Sequence, residues 1–306
     1  MPRVLGNALL LIFLAAASGC TLLGGPPLTE RSIELTETPF FPQEAYQCGP
    51  AALATVLAHS GVPVTADELT AALYIPERHG SLQVELMAAA RRHGRLAVEL
   101  DGDLAMLIQQ LEHGRPVLVL QNLAVSFYPV WHYAVVVGYE PARDRFVLRS
   151  GTERRELTGR GRFAATWRRA DHWALVVLAP QDDPAGLPRS AYLRAAADLE
   201  NTGAHGAALE AFRSAVRAWP DEPLARLGVA NNLYYLGRRE AAVDAYRELL
   251  ERHPTHPVAV HNLVMLLVEL ERPCEARQLL AAAPELTGAL VETARRAAAS
   301  ACPAGD

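Results

Sequence analysis

Two side chains of this sequence are suited to covalent chemistry: a thiol at the start of a helix and an imidazole at the head of a strand. Cys48 sits in "QEAYQCGPAALATVLAHSG", between polar residues and an Ala/Leu-rich stretch with helical spacing. A thiol is a weak nucleophile at its ordinary pKa of about 8.5 and needs a base beside it or a helix N-terminus under it. Position supplies the second, because Cys48 precedes the first turn of the expected helix. The base must come from elsewhere. His132 is the leading candidate, since it opens "HYAVVVGY" and a strand start lets a side chain reach out of a sheet into a cleft. His59, His93 and His113 fall at helix ends, and His205, His253, His256 and His261 in a later repeat region; His79 and His172 stay open.

The elements that must position this pair follow from periodicity. Gly49-Pro50 opens a helix over 48–60, with Pro in the first turn where its missing N–H costs little. "TADELTAALY" has Thr65 and Glu68 at capping-box spacing. "SLQVELMAAARRHG" runs from a Ser81 cap to Gly94, and "DLAMLIQQLEHG" from Asp103 to Gly114. Then "RPVLVLQNL", "HYAVVVGYE", "RFVLRSG" and "WALVVLAP" read as short strands. Helices followed by an antiparallel sheet predict an α+β domain.

"PQEAYQCGPAA" followed by "HYAVVVGY" resembles the papain-like cysteine peptidases of the bacteriocin-processing, double-glycine-leader family, over roughly residues 39–178. The resemblance implies a papain-like fold, a peptide or protein substrate, Cys48 as nucleophile, His132 as general base and Gln43 as the oxyanion-hole side chain. Gln47 is the alternative for that last role. An amide N–H₂ beside the nucleophile's own N–H suits a developing oxyanion.

The third catalytic position departs from the family. Such peptidases carry Asp or Asn on the following strand to orient the imidazole. Folding the hairpin about Ala142 puts His132 opposite a residue near position 152, and the family's acid position falls on Ser150. A serine can accept the ring N–H bond but carries no charge. Asp144 is excluded, being about 30 Å along the strand at roughly 3.3 Å per residue. Glu153 and Asn122 remain as substitutes. The expected activity is therefore cysteine peptidase hydrolysis, with a weak or inactive peptidase fold acting as a peptide- or protein-binding scaffold as the alternative.

Outside this domain, "MPRVLGNALLLIFLAAASGC" has an early Arg, a short apolar run and small residues before Cys20. That is the shape of a secretory signal, and its end resembles the bacterial lipobox, with Cys20 lipidated. Thr21 follows Cys20, so the expectation is an outer-membrane lipoprotein facing the periplasm, held on the membrane by its lipid anchor. Residues 1–19 would be the signal, 20–38 a tether, 39–179 the peptidase domain, 180–189 a linker and 190–306 helical repeats. In those repeats Gly203, Ala208, Phe212, Pro220 and Pro223 recur 34 residues on as Gly237, Ala242, Tyr246, Pro254 and Pro257, with a weaker third copy at Ala276 and Leu280. This resembles tetratricopeptide repeats, which stack helix pairs and imply a protein partner. "LVETARRAAASAC" would cap the array, and a Cys274–Cys302 disulfide would clip its end, leaving Cys48 unpaired. The formal net charge of −5, without long runs of one sign, gives no support for nucleic-acid binding. No cofactor is expected, and there is no His-Glu-x-x-His or paired zinc-ligand spacing.

Overall fold

A computed structural model describes residues 26–43, 47–75, 80–100 and 102–301. The chain runs β1 (Ile33–Glu34), α1 (Cys48–His59), α2 (Ala66–Leu73), α3 (Gln83–Arg92), β2 (Leu96–Leu100), α4 (Leu104–Glu112), β3 (Val117–Asn122) and β4 (Trp131–Glu140). After a short 3₁₀ turn come β5 (Arg145–Ser150), β6 (Glu153–Gly159), α5 (Arg160–Arg168) and β7 (Ala174–Leu178). The rest is helical: α6 (Arg189–Asn201), α7 (His205–Ala218), α8 (Pro223–Tyr235), α9 (Arg239–Arg252), α10 (Pro257–Glu269), α11 (Pro273–Ala281) and α12 (Ala289–Ala301). The architecture is an α+β unit with an antiparallel sheet, followed by an all-α array.

The sheet order is β2-β7-β3-β4-β5-β6, and β1 pairs with the far end of β4 at Gly138 and Tyr139. The β4 strand alternates between two cores. Tyr133, Val135 and Val137 meet α1, α2 and α3 through Leu53, Leu57, Leu69, Leu73 and Leu86. Ala134, Val136 and Tyr139 meet α4, α5 and α6 through Leu107, Phe163, Trp167 and Tyr192. Both faces are covered, which is why these strands read as near-continuous apolar runs rather than clean alternations.

Local rules account for several boundaries. The α2 capping box is complete: Glu68 N–H donates to Thr65 and the Thr65 N–H to Glu68. Asp103 caps α4 by accepting from Met106 N–H at 2.6 Å. The α3 cap is a correction, because Leu82 takes the N-cap position in extended conformation with no side-chain bond, and the Ser81 hydroxyl is buried without a partner. Four elements stand where sequence periodicity marked none: β1, β2, β6 and α5. The β1 and β2 strands are short. In "ERRELTG" the polar residues mark an edge strand, and α5 buries Phe163, Thr166 and Trp167 through tertiary contact alone.

The described residues of the expected tether, and those of the expected linker, are built into the fold. From Pro26 onward the N-terminal segment lies on the sheet: Arg160 donates to the Pro26 carbonyl and Leu35 N–H to the Val137 carbonyl. Gln110 donates to the Gly186 carbonyl, while the Arg115 guanidinium donates to the carbonyls of Asp183 and Ala185. One apolar core continues from the sheet through Tyr192, Leu199, Phe212 and Ala225 into the helical array. The Arg91–Asp198 ion pair at 2.5 Å joins α3 to α6. The array is thus a brace packed on the sheet's second face.

In the array, α8 starts at Pro223 and α10 at Pro257, and α7 and α9 keep the same 34-residue offset. Small residues sit where helices cross: a Cβ at Gly228 would collide with the Phe212 ring. Cys274 lies at the start of α11 and is disulfide-bonded. Cys302, its expected partner, and Cys20 lie outside the described residues, as do the expected signal and His79.

Candidate active site

Four sequence-selected residues converge at the Trp131 end of β4. Cys48 begins α1, whose N-terminus carries Gly49 and Pro50 packed against the sheet. Gly49 has no room for a side chain, because a Cβ there would meet Ser81 Cβ at 2.8 Å. The main-chain N–H groups of Tyr133, Gly49 and Cys48 donate toward the Cys48 sulfur. Tyr133 is the residue after His132, so the thiol is fixed beside the histidine's own backbone. The Tyr133 ring, which turns away into the core, stacks edge-on against Trp173 and donates its hydroxyl to the Ser81 carbonyl.

His132 reaches the opposite way along the pleat. Its Nε2 lies 2.9 Å from the Ser150 hydroxyl. The register explains this contact: Val135 pairs with Arg149 and Val136 with Leu148, so Ser150 is the diagonal neighbour of His132 on the same face. Because Nε2 is engaged by Ser150, Nδ1 is the ring nitrogen left for a thiol. The structure records no Cys48–His132 hydrogen bond, a contact that commonly tightens only with substrate.

Gln43 is tied to the same corner through its backbone, since its N–H donates to the Gly151 carbonyl at 3.1 Å, in the turn directly after Ser150. Gly151 adopts φ +58°, which suits the tight β5–β6 turn. Gln47 is the N-cap residue of α1 and makes no side-chain cap bond, while its carbonyl accepts from Ala51 N–H.

Burial sets the electrostatics. It pushes the Cys48 thiol above its ordinary value, against the pull of the three N–H groups. This outcome differs from the thiolate that a helix N-terminus alone would favour, because desolvation outweighs the dipole. Burial also lowers His132, and the Glu156 carboxylate opposes that effect. The resting pair is therefore a neutral thiol beside a neutral imidazole. Such a pair reacts by general-base transfer at the moment of attack, not from a standing ion pair.

The remaining candidates separate clearly. Asp144 lies at the far end of β4, accepting from the Tyr139 hydroxyl and paired with Arg160. Asn122 does not orient the imidazole. Its Oδ1 accepts from Ala124 and Val130 N–H, which organises the β3–β4 loop. Glu153 pairs with Ser150 in register and is exposed, with no recorded bond to the site. The His172 ring packs edge-on against Trp167. A cavity of about 460 Å³ lined by Gly102, Asp103, Trp167 and His172 holds none of the four converging residues. Among the described residues no group of three or more His, Cys, Asp or Glu could hold a metal ion. Periodicity gave no sign of Glu156. Its strand reads as polar surface, and its proximity depends on cross-strand register.

Residues 35–174 match the Peptidase C39-like family model, and residues 233–295 match a tetratricopeptide repeat model. Among solved structures, the chain is similar to one from Bacillus anthracis described as a C39-like peptidase, at 17% identity and TM-score 0.41, covering 49% of this chain and 98% of that one. It is also similar to the peptidase domain of Streptococcus ComA, a bi-functional ABC transporter involved in quorum sensing, at 18% identity and TM-score 0.38, covering 46% and 98%. A third is a double glycine motif protease from an AMS/PCAT transporter in complex with its leader peptide, at 19% identity and TM-score 0.37, covering 50% and 98%. No curated protein matches the chain.

Proposed function

We propose that this chain, in which a C39-like peptidase domain is joined to tetratricopeptide repeats, hydrolyses peptide bonds through Cys48. The observation that carries the proposal is the convergence of the helix-start thiol, the His132–Ser150 pair and the Gln43 backbone on one corner of the sheet. His132 Nδ1 takes the thiol proton as sulfur bonds to the substrate carbonyl carbon. The oxyanion that forms is met by the Cys48 N–H and the Gln43 amide. Collapse breaks the C–N bond, and the imidazolium returns its proton to the departing amine. Water then hydrolyses the thioester, with His132 again the base.

The substrate's apolar residues meet the β3–β4 loop that leads into His132. Phe127 is 90% exposed and Tyr128 74% exposed, and Val125, Val130 and Trp131 flank them. That wall carries no charge, so it favours an apolar peptide segment over an acidic or basic one. The repeats serve as a rigid brace and a surface for a protein partner.

We also propose that the chain is a lipoprotein anchored through Cys20 on the periplasmic face of the outer membrane. Pro26 is held at the Arg160 end, while the site opens at the Trp131 end of the ten-residue β4 strand, about 30 Å away at roughly 3.3 Å per residue. An anchor six residues before Pro26 would therefore leave the cleft facing away from the membrane.

The second reading, a peptide-binding scaffold of weak activity, is favoured by the uncharged Ser150 in the acid's place. The deciding experiment incubates the full chain with an apolar peptide library and reads the products by mass spectrometry. New termini that vanish in both Cys48→Ala and His132→Ala support hydrolysis. Retention of peptides without cleavage supports the scaffold.

A further inference from the structure

Serine is an ambiguous partner for a catalytic histidine. Its oxygen can accept from Nε2–H, which leaves Nδ1 with a free lone pair, or its O–H can donate to Nε2, which fixes the opposite and unproductive tautomer. Something beyond Ser150 must set the direction and supply the charge that stabilises imidazolium.

The strand register supplies a candidate. Leu148 on β5 pairs with Glu156 on β6, and Val136 on β4 pairs with Leu148, so these positions share one face of the sheet. His132, Ser150 and Glu156 therefore occupy that face on three adjacent strands. Glu156 is half-buried, and one of its carboxylate oxygens accepts from the Thr158 hydroxyl at 3.0 Å. Its charge is felt at His132, where it opposes the effect of burial. The other charged groups nearby are otherwise engaged or turned away. Arg149 lies on the opposite face, donating to the Thr38 and Arg154 carbonyls; Arg169 donates to the Asn122 carbonyl; Arg162 and Glu153 are exposed.

We propose that Glu156 is a positioning residue that acts through Ser150, polarising its hydroxyl so that the oxygen accepts from His132 and lending the pair the negative charge that Ser150 lacks. This rests on the peptidase reading above. The acid function is then divided between two strands: Ser150 makes the contact and Glu156 carries the charge.

The test measures alkylation of Cys48 by iodoacetamide at pH 7 in the full chain. Glu156→Gln is expected to slow it by about tenfold, and Glu156→Asp to recover most of the rate. Ser150→Asp places the charge at the contact, so adding Glu156→Gln to it is expected to change the rate by less than about twofold. The pH at which the His132 ring protonates, followed by its ¹⁵N shift in the same variants, should fall in Glu156→Gln, a change that loosened packing alone would not produce, since it would weaken burial and raise that pH. A wild-type rate and an unchanged ring protonation pH in Glu156→Gln, or the loss appearing in Glu153→Gln instead, overturns this inference alone. A wild-type rate in His132→Ala overturns the peptidase reading and this inference with it.

Discussion

His132 Nε2 and Ser150 Oγ meet at 2.9 Å across β4 and β5, in the place where a carboxylate or amide would orient the imidazole of a cysteine peptidase. A neutral contact at this position fixes the ring without stabilising its charge. Removing it is expected to matter less than loss of an acid would. Ser150→Ala should slow alkylation of Cys48 by about tenfold, the value of roughly one hydrogen bond. A rate unchanged by Ser150→Ala would mean that the ring is held by packing alone.

Both members of the pair are shifted by burial from their ordinary values, Cys48 upward and His132 downward. The sign follows directly. Neutral His132 persists to a pH below 6.5, so thiol labelling should rise as pH climbs through that lower window and then hold level. A second rise is expected above pH 9, where the thiol ionises by itself. In His132→Ala only the upper limb should remain. A single alkaline limb in the wild type would remove His132 as the base.

Gly138 lets β1 approach β4. A Cβ there would overlap the Ile33 carbonyl oxygen and touch Glu34 Cα at 3.0 Å, both parts of the backbone. Gly138→Ala should displace β1 and cost about 1–3 kcal/mol, the usual range for overpacking. Faster proteolysis between Pro26 and Thr38, with a lowered melting temperature, would report it.

Tyr192 ties the repeats to the sheet. It is fully buried, stacks edge-on against Trp219 and donates to the Ala211 carbonyl at 3.2 Å. Tyr192→Ala should cost about 3–5 kcal/mol, as for other large aromatic truncations in a core. Because one core spans both parts, heat unfolding of the wild type should show one cooperative transition. Two separable transitions would show that the parts fold independently.

Much of the candidate site was legible in the sequence. Cys48 and His132 declared themselves by local sequence, since a helix start and a strand head depend on neighbours within a few residues, while Gln43, with Gln47 as its alternative, came with the family resemblance. That resemblance also pointed to Ser150, and the hairpin about Ala142 put His132 opposite a position near 152 and excluded Asp144, because strand pairing follows by counting from a turn. The 34-residue period disclosed the repeats for the same reason. Register bulges, edge strands and desolvation were not legible. One extra residue near Val137 on β4 and another between Glu153 and Glu156 on β6 set which side chains share a face, and that choice puts Glu156 rather than Arg155 opposite Leu148. Tertiary burial likewise reversed the direction expected for the Cys48 thiol, because the cost of a buried charge depends on everything packed around it. Residue types and local spacing thus determined which groups are candidates for the chemistry. The packing of three strands and a helix decided which side chains share their face and which way burial shifts them.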